Sequence, residues 1–526
     1  MRIFTKFTLT IAVFLSFSTL SYASEYDINE QGAAHLKALF QKQIDKTIQA
    51  HANQAESSIE YEGEVLVEEA ESYYAVTLPA LTLHFDNTDE ENPTATPEKI
   101  TLKMGITSIN ARPGDSDKEW RLAFATPSQW IGLDKTGAQK FLVNIGNQNA
   151  TGIWHEGFEN FIKLNALYKD ISIDADGHPA IITIENIDIT SNIQNEPSNA
   201  DLWSGPSQAS LKGFKISSPD SNASFKLGEM SVSTSADQLS LSALKEFEEV
   251  ATRASNGEAV APQAIASTVL KLTNSFGMSF ALKNMEIQRD GDDEIAQVLD
   301  MNLAPKAAND LQSINLKGMD MSLNVEGLQE DSSNIEISLG YDNAQTYPTL
   351  NNHSQLSPHS ANISINNNKI PVKKIWASLE SELAANGAIN PVMLMMKLPA
   401  LLTMAQSQID LELHSKADLY AIDLVGNVKA DIESVTGATG KITTTITGLI
   451  DTLSYVQAAA NDPQEEQAEE FKQFATSLET LLSVAEEQGD KHIFTLIGDA
   501  SGNITLNGQP AMPLLQSIKI PQGILK

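Results

Sequence analysis

Two short motifs in the chain have the types and order of residues found in a serine–lysine catalytic site. Residues 242–245 (SALK) have the Ser-x-x-Lys spacing in which a lysine can activate a nucleophilic serine, and residues 135–137 (KTG) match a second motif of the penicillin-recognising enzymes. In those enzymes the Lys-Thr-Gly follows the serine, whereas here it precedes Ser242. Because Ser242 also falls in an amphipathic helical pattern, we interpret the match as part of a helix surface. The sequence contains no nucleophile elbow, P-loop or dinucleotide fingerprint, and we expect no enzymatic activity.

A second group of residues has the chemistry of a metal site. His155 and Glu156 are adjacent in the segment TGIWHEGFENFIKL, and Glu159 stands where a zincin motif would need its second histidine. The Asp- and Gly-rich runs 174–178 and 290–294 resemble calcium loops, but the first has a proline at the sixth position, where an EF-hand needs glycine. We therefore interpret His155 as a packing or surface residue and both acidic runs as turns, and we predict no metal and no cofactor.

A methionine-rich run is the strongest candidate for ligand binding. Residues 391–405 (PVMLMMKLPALLTMA) are apolar nearly all round, and flexible methionine side chains suit an adaptable apolar groove. The alternative is a plain buried helix, because helices that are apolar on all sides usually lie in a core. The residues predicted to line an apolar ligand-binding groove are Met393, Met395, Met396, Leu398, Leu401 and Met404.

The surrounding sequence alternates between strand-like and helix-like patterns. From Ile59 to Phe85 apolar residues alternate with polar ones, which predicts antiparallel strands with one solvated face. A seven-residue template that recurs in the middle of the chain, as in LKGFKIS (211–217) and LKGMDMS (316–322), predicts successive hairpins. Apolar residues at helical spacing predict a helix from Asp27, a helical hairpin that begins near Leu241, and helices at 372–385, 391–408, 446–459 and 464–488. We therefore expect an α+β fold in which a long, twisted antiparallel β-meander has helices covering one face.

A nearly repeated hexapeptide marks two places in this meander. Residues 361–366 (ANISIN) and 502–507 (GNITLN) each follow a strand-like run, and each is followed by a residue suited to a turn. In both copies we predict a strand that ends in a turn. The Asn507-Gly508 pair supplies the residue types that tolerate the positive φ angles of a tight turn.

The N-terminus and the composition indicate where the protein is located. Arg2 and Lys6 precede an apolar run, 7–20, and residues 21–23 (SYA) form a cleavage site, which together predict a secretory signal peptide cut after Ala23. We expect a bacterial protein of the periplasm or exterior with no membrane-spanning segment in the mature chain. The absence of cysteine excludes disulfides and thiol chemistry, and the net charge of −33 argues against nucleic acid as a partner.

The C-terminal third resembles a known family of envelope proteins. Residues 440–453 (GKITTTITGLIDTL) and 494–515 (FTLIGDASGNITLNGQPAMPLL), joined by a helical spacer, are similar to the end of the YdgA-like proteins. Those proteins are exported bacterial chains of undefined biochemical role. The resemblance covers 410–526; it implies an envelope location and a β-rich fold and carries over no catalytic residue. The signal sequence departs from that family, because it looks cleavable where those relatives look anchored.

These patterns lead to a predicted organisation and function. The predicted segments are a signal peptide (1–23), an N-terminal helix (24–56), a β-rich domain (57–234), a helical hairpin insert (235–278) and a C-terminal sheet with covering helices (279–526). We expect a non-enzymatic envelope protein that holds a lipid-like apolar ligand, or a partner protein of the envelope, in a groove between sheet and helices. Two alternatives stay open: an interaction scaffold without a ligand, and a hydrolase with an unrecognised site.

Overall fold

The computed structural model describes residues 28–52, 57–87, 98–116, 118–175, 181–217, 223–255, 258, 261–288, 313–347, 353–386, 391–465 and 467–518. The predicted signal peptide (1–23), the acidic run 290–294 and residues 176–178 of the other acidic run lie outside this part of the chain. Within it, no helix is long and apolar enough to cross a membrane.

The fold class is α+β with mostly antiparallel strands, as the sequence predicted. The strands are β1 (Ser57–Glu62), β2 (Leu66–Glu69), β3 (Tyr74–Thr77), β4 (Ala80–Asn87), β5 (Glu98–Gly105), β6 (Ser108–Pro113), β7 (Glu119–Ala125), β8 (Gln129–Leu133), β9 (Gln139–His155), β10 (Asn160–Ala175), β11 (Ile181–Asn192), β12 (Gln194–Glu196), β13 (Asn199–Ser217), β14 (Ser224–Ser240), β15 (Ser275–Gln288), β16 (Ser313–Glu326), β17 (Ser333–Tyr347), β18 (Ser360–Ile370), β19 (Gln408–Lys416), β20 (Ala421–Ala430), β21 (Ala438–Thr447), β22 (Glu486–Gln488), β23 (Lys491–Gly498), β24 (Ile504–Leu506) and β25 (Gln509–Pro510).

Helices interrupt the strands close to the positions that apolar spacing predicted. They are α1 (Glu30–Ala52), α2 (Leu241–Ser255), α3 (Pro262–Leu272), α4 (Val372–Asn386), α5 (Pro391–Ala405), α6 (Leu449–Ala460), α7 (Ala468–Leu482) and α8 (Ala511–Ser517), with a 3-10 turn at Ser354–Leu356. The prediction for 464–488 was too long at its C-terminal end, because Glu486–Gln488 pairs with β23 as a strand. The prediction for 446–459 began too early, because Gly448 has φ 76° and separates strand β21 from helix α6.

The chain forms two compact units. Among the described residues, the first unit comprises 28–233 and 284–288, and the second comprises 234–283 and 313–518. Each unit has its own buried apolar core.

The first unit is organised around the long strand β9. One edge of β9 pairs with β10, whereas the other edge pairs with β8 along residues 139–144 and with β7 along residues 150–155. Two arms of sheet therefore leave the same edge of β9, one through β8, β5, β4 and β1 and the other through β7, β6, β3 and β2. Beyond β10 the sheet continues through β11 and β13.

Helix α1 packs against both arms, through contacts with β1 and β2. It buries Leu36, Leu39 and Ile44, whose spacing places them on one face of the helix. The Asn29 side chain accepts a hydrogen bond from the Gly32 backbone N–H at 2.9 Å and so acts as the N-cap. The helix begins at Glu30, and Asp27, where the sequence predicted its start, lies outside the described residues.

The second unit contains a regular meander with one apolar and one polar face. Strands β16, β17, β18, β19, β20, β21 and β23 pair antiparallel in that order. The register aligns Leu339, Ile363, Leu413 and Leu424 in one row across four strands, and the adjacent row on the other face begins with two serines and a glutamate. Helices α6 and α7 pack together, and their apolar side chains form a core with Phe494 of β23.

The two copies of the hexapeptide have different structures. At the second copy β24 ends at Leu506, and Asn507 and Gly508 have φ angles of 46° and 79°, which confirms the predicted turn. The prediction of a turn after the first copy was wrong, because β18 continues to Ile370. There the asparagines pair with β17 on one side and β19 on the other, and pairing on both edges outweighs their preference for turns.

Candidate functional site

An apolar cavity of about 120 Å³ lies in the first unit, beneath α1. Both arms of the sheet contribute to its wall, together with strands β9, β10 and β11. The side chains that line it are Leu36, Leu39, Phe40, Gln43, Ile44, Leu78, Leu83, Leu102, Met104, Thr107, Ile109, Trp120, Leu122, Phe124, Thr126, Trp130, Val143, Ile145, Trp154, Phe161, Tyr168, Ile171, Ile184, Ile187 and Ile189.

The chemistry of this wall is almost entirely apolar. Aliphatic and aromatic side chains dominate, and the few polar side chains are neutral at ordinary pH. Burial raises the pKa of Tyr168 in the wall to about 12, and it does the same for Tyr61, which packs against the same cores. The cavity therefore suits an apolar molecule or the apolar part of an amphiphile.

A buried polar network lies next to the cavity. Glu156 is fully buried, and its Oε1 accepts a hydrogen bond from the Trp120 indole N–H at 2.7 Å. The same oxygen lies 2.8 Å from Nε2 of His35 on α1. Trp120 therefore contributes its ring to the cavity wall and its N–H to the network, and the network joins α1 to the end of β9.

The turn that follows β9 carries the remaining charged residues of this region. Glu159, with φ 55°, ends the turn between β9 and β10, and its carboxyl oxygen lies 2.8 Å from Nζ of Lys46 on α1. His155 packs edge-on against Trp203 with a ring-centroid distance of 4.8 Å, so its role is packing, one of the two roles the sequence suggested. Across the described residues, no group of three or more acidic or histidine side chains is arranged to hold a metal ion.

The sequence pointed to this turn as a metal-binding candidate but did not connect it with α1. His35 and Glu156 are far apart in sequence, and nothing in either local pattern pairs them. One signal was available: Glu156 is a charged residue between Trp154 and Phe158, in a segment whose apolar residues are otherwise buried. A charge in such a position is buried only when it is paired.

The predicted methionine site lies elsewhere, on α5 of the second unit. Met396 and Met404 are exposed by 69% and 83%, while Leu398 and Leu401 are partly buried. The side chains of Met393 and Met395 lie outside what the structure describes. The helix contacts α4, β18 and β20, and none of the four residues whose side chains are described lines the cavity of the first unit. That they line a second apolar groove stays a prediction.

The two serine–lysine motifs lie in the first turn of helix α2 and in the turn between β8 and β9. The Ser240 hydroxyl oxygen accepts a hydrogen bond from the Ala243 N–H at 3.1 Å and so caps α2, and Ser242 Oγ lies 3.1 Å from that hydroxyl. Residues 135–137 form the turn between β8 and β9, where Gly137 has φ 83°. Hydrogen bonds from Thr136 hold the pKa of Asp134 in that turn below its usual value.

Comparison with known proteins identifies no family for this chain. The chain matches no protein-family model, and it matches no curated protein sequence. The resemblance of 410–526 to the YdgA-like family therefore stays a prediction.

Proposed function

We propose that this protein is a non-enzymatic binding protein of the bacterial envelope that holds a small apolar ligand, or the apolar part of an amphiphile, in the cavity of its first unit. The observation that supports the proposal is the cavity itself, about 120 Å³ in volume and lined mostly by buried aliphatic and aromatic side chains. Natural cores are packed to crystal-like density and rarely leave such a space. An apolar cavity of similar size engineered into another protein stays dry and binds benzene or xenon.

The size of the cavity limits what it can hold in this conformation. A space that admits a benzene-sized group accommodates a ring or the end of an acyl chain, and not a whole phospholipid. Helix α1 supplies five of the lining residues, Leu36, Leu39, Phe40, Gln43 and Ile44, so a larger ligand would require this helix to move.

The envelope location rests on the N-terminal sequence. The basic residues, apolar run and small residues before Ser24 have the order of a secretory signal peptide. N-terminal sequencing of the protein from its native host should return Ser24 as the first residue, and a chain that begins with Met1 would contradict export with cleavage.

A second candidate function, binding to a partner protein of the envelope, is favoured by the second unit. On the apolar face of its meander, Met321, Ile337, Leu339 and Ile409 are each more than two-fifths exposed. Neighbouring exposed apolar residues of this kind are typical of surfaces that bind partners. A defined envelope protein recovered by cross-linking through these residues, with no ligand in the cavity, would favour this function over ligand binding.

The proposal can be tested by adding benzene to the purified full-length chain and following thermal unfolding. A ligand that binds only the folded protein raises the melting temperature as its concentration increases. Leu39→Phe adds volume on the helix side of the cavity and should abolish the benzene-dependent shift, whereas Ala38→Phe places the same ring on the exposed side of α1 and should leave it intact. The absence of any benzene-dependent shift in the unmodified protein, together with no apolar compound in native mass spectra, would contradict the proposal.

A further inference from the structure

Two buried polar atoms beside the cavity have no hydrogen-bond partner among the described residues. They are Nε1 of Trp154 and Oε2 of Glu156. Trp154 is 5% exposed and Glu156 is 0% exposed. Buried polar atoms of native proteins are nearly always paired, so two unpaired atoms on residues two apart in the chain require an explanation.

The strand register places both side chains on the cavity side of the sheet. Residues two apart along a strand share a face, and the Glu156 N–H donates to the Lys118 carbonyl at 2.8 Å, which extends the β7–β9 ladder by one residue beyond His155. Trp120 is directly opposite Trp154, and both line the cavity. Since Trp120 Nε1 reaches Oε1 of Glu156 at 2.7 Å, the carboxyl group lies at the end of the wall that the two tryptophans form.

The two unpaired atoms have complementary chemistry. The Trp154 indole nitrogen can only donate a hydrogen bond, and an ionised carboxyl oxygen can only accept one. A hydroxyl group is the smallest organic group that accepts one hydrogen bond and donates another. We propose that the ligand of this cavity carries a neutral hydroxyl group, which accepts from Trp154 Nε1 and donates to Glu156 Oε2, while its apolar body fills the cavity. This inference rests on the proposed function.

Other ligand chemistries match the two atoms less well. A pure hydrocarbon leaves both of them unpaired, and a buried unpaired group destabilises the complex. An ammonium group has no lone pair with which to accept from the indole. A carboxylate would bring a second negative charge close to Glu156, where burial makes the repulsion strong.

Phenol and benzene provide a matched pair of probes, because they differ only in the hydroxyl group. In a plain apolar cavity benzene binds more tightly, because phenol would bury an unpaired hydroxyl. Here we expect calorimetric titration of the full-length chain to show phenol bound at least as tightly as benzene. Removing the donor with Trp154→Phe should weaken phenol binding about tenfold and change benzene binding by less than about threefold.

A second variant and a control separate the hydroxyl contact from changes in cavity shape. Glu156→Gln keeps an acceptor oxygen for Trp120 but places an NH₂ group at one end of the side chain, so it should also weaken phenol relative to benzene. Trp130→Phe makes the same change in ring size in the cavity wall, but the indole N–H of Trp130 is already bonded to the Pro127 carbonyl at 3.0 Å. This control should alter phenol and benzene binding equally.

Each outcome supports or overturns a defined statement. If neither probe binds, the proposed function itself fails. If benzene binds, phenol binds more weakly, and Trp154→Phe leaves the ratio of the two affinities unchanged, the cavity is a plain apolar site. In that case the hydroxyl inference is overturned while the proposed function stands.

Discussion

Replacement of Glu156 by alanine tests whether the buried network anchors α1 over the cavity. The substitution removes the oxygen that accepts from Trp120 Nε1 at 2.7 Å and that lies 2.8 Å from His35 Nε2. Both contacts join elements that are distant in sequence, so their loss should destabilise the first unit as a whole. If the loss of stability were confined to the β9–β10 turn, the network would not be what holds α1 in place.

The magnitude follows from the burial of each partner. A hydrogen bond to a charged, buried acceptor contributes about 1.5–3 kcal/mol. Trp120 is 1% exposed, so its bond should contribute toward the upper end of that range, whereas the His35 side chain is 18% exposed and water can replace part of its bond. We therefore expect Glu156→Ala to lower the free energy of unfolding by about 3–5 kcal/mol. Glu156→Gln retains one acceptor oxygen and should cost about 1 kcal/mol.

Urea unfolding followed by tryptophan fluorescence can measure this loss in the first unit alone. Four of the five tryptophans of the chain belong to the first unit, and Trp376 belongs to the second, so a Trp376→Phe background restricts the signal to the first unit. Glu64→Ala is the matched control, because Lys37 of α1 contacts Glu64 at 3.4 Å with side chains that are 48% and 78% exposed. An exposed pair of this kind contributes at most about 1 kcal/mol.

The double substitution His35→Ala with Glu156→Ala completes the test. If the two side chains act together, their combined loss should fall short of the sum of the single losses by about 1 kcal/mol or more. A Glu156→Ala loss no larger than that of Glu64→Ala, or strictly additive losses for His35 and Glu156, would refute the idea that this network holds the helix.

Three further predictions concern other parts of the molecule. Gly508→Val should lower the free energy of unfolding by on the order of 1 kcal/mol or more, because Gly508 has φ 79°. A Cβ at this position would meet only open space, so the cost would come from backbone strain alone. An unchanged melting temperature would show that the turn relaxes without strain. Burial raises the pKa of Tyr61 and Tyr168 from 10.0 to about 12. Their contribution to the free energy of unfolding is therefore complete below pH 10 and is lost as the pH rises through about 12, by up to about 2.7 kcal/mol for each tyrosine. Replacing both by Phe should flatten this alkaline loss in pH-dependent urea unfolding, and an unchanged slope would count against it. Met396→Gln with Met404→Gln should change the free energy of unfolding by less than about 0.5 kcal/mol, because both side chains are exposed. A loss of co-purifying lipid at an unchanged melting temperature would support an apolar groove on α5, and retained lipid would count against it.

Much of the fold could be predicted because local patterns and tertiary packing agree. Helical spacing located α4, α5 and α6 to within a few residues, and Asn507-Gly508 forms the turn that its residue types favour. Asn507 also explains why this turn is specific. Its side chain donates to the Val484 carbonyl at 2.7 Å and the Ile493 carbonyl at 2.8 Å, and its Oδ1 accepts from the Thr495 N–H at 2.6 Å. The first copy of the hexapeptide has asparagines too, but neighbouring strands on both sides keep it extended.

Sequence reasoning selected α5 for ligand binding because its composition is unusual, whereas the cavity of the first unit has an ordinary composition. Its wall consists of the same leucine, isoleucine and aromatic residues that fill the densely packed cores, so residue type does not distinguish a cavity from a core. A cavity depends on how elements distant in sequence fit together, here α1 and the two arms that leave one edge of β9.

Unpaired polar atoms distinguish this cavity from an accidental packing gap. Glu156 brings a carboxyl group to its edge at a considerable desolvation cost, and only Oε1 of that group has partners among the described residues. If Glu156 served only to anchor α1, an isosteric glutamine would meet most of that need. An anchoring role leaves unexplained the unpaired Oε2 and the unpaired indole N–H of Trp154, two residues earlier in the chain. A hydroxyl-bearing ligand would account for both.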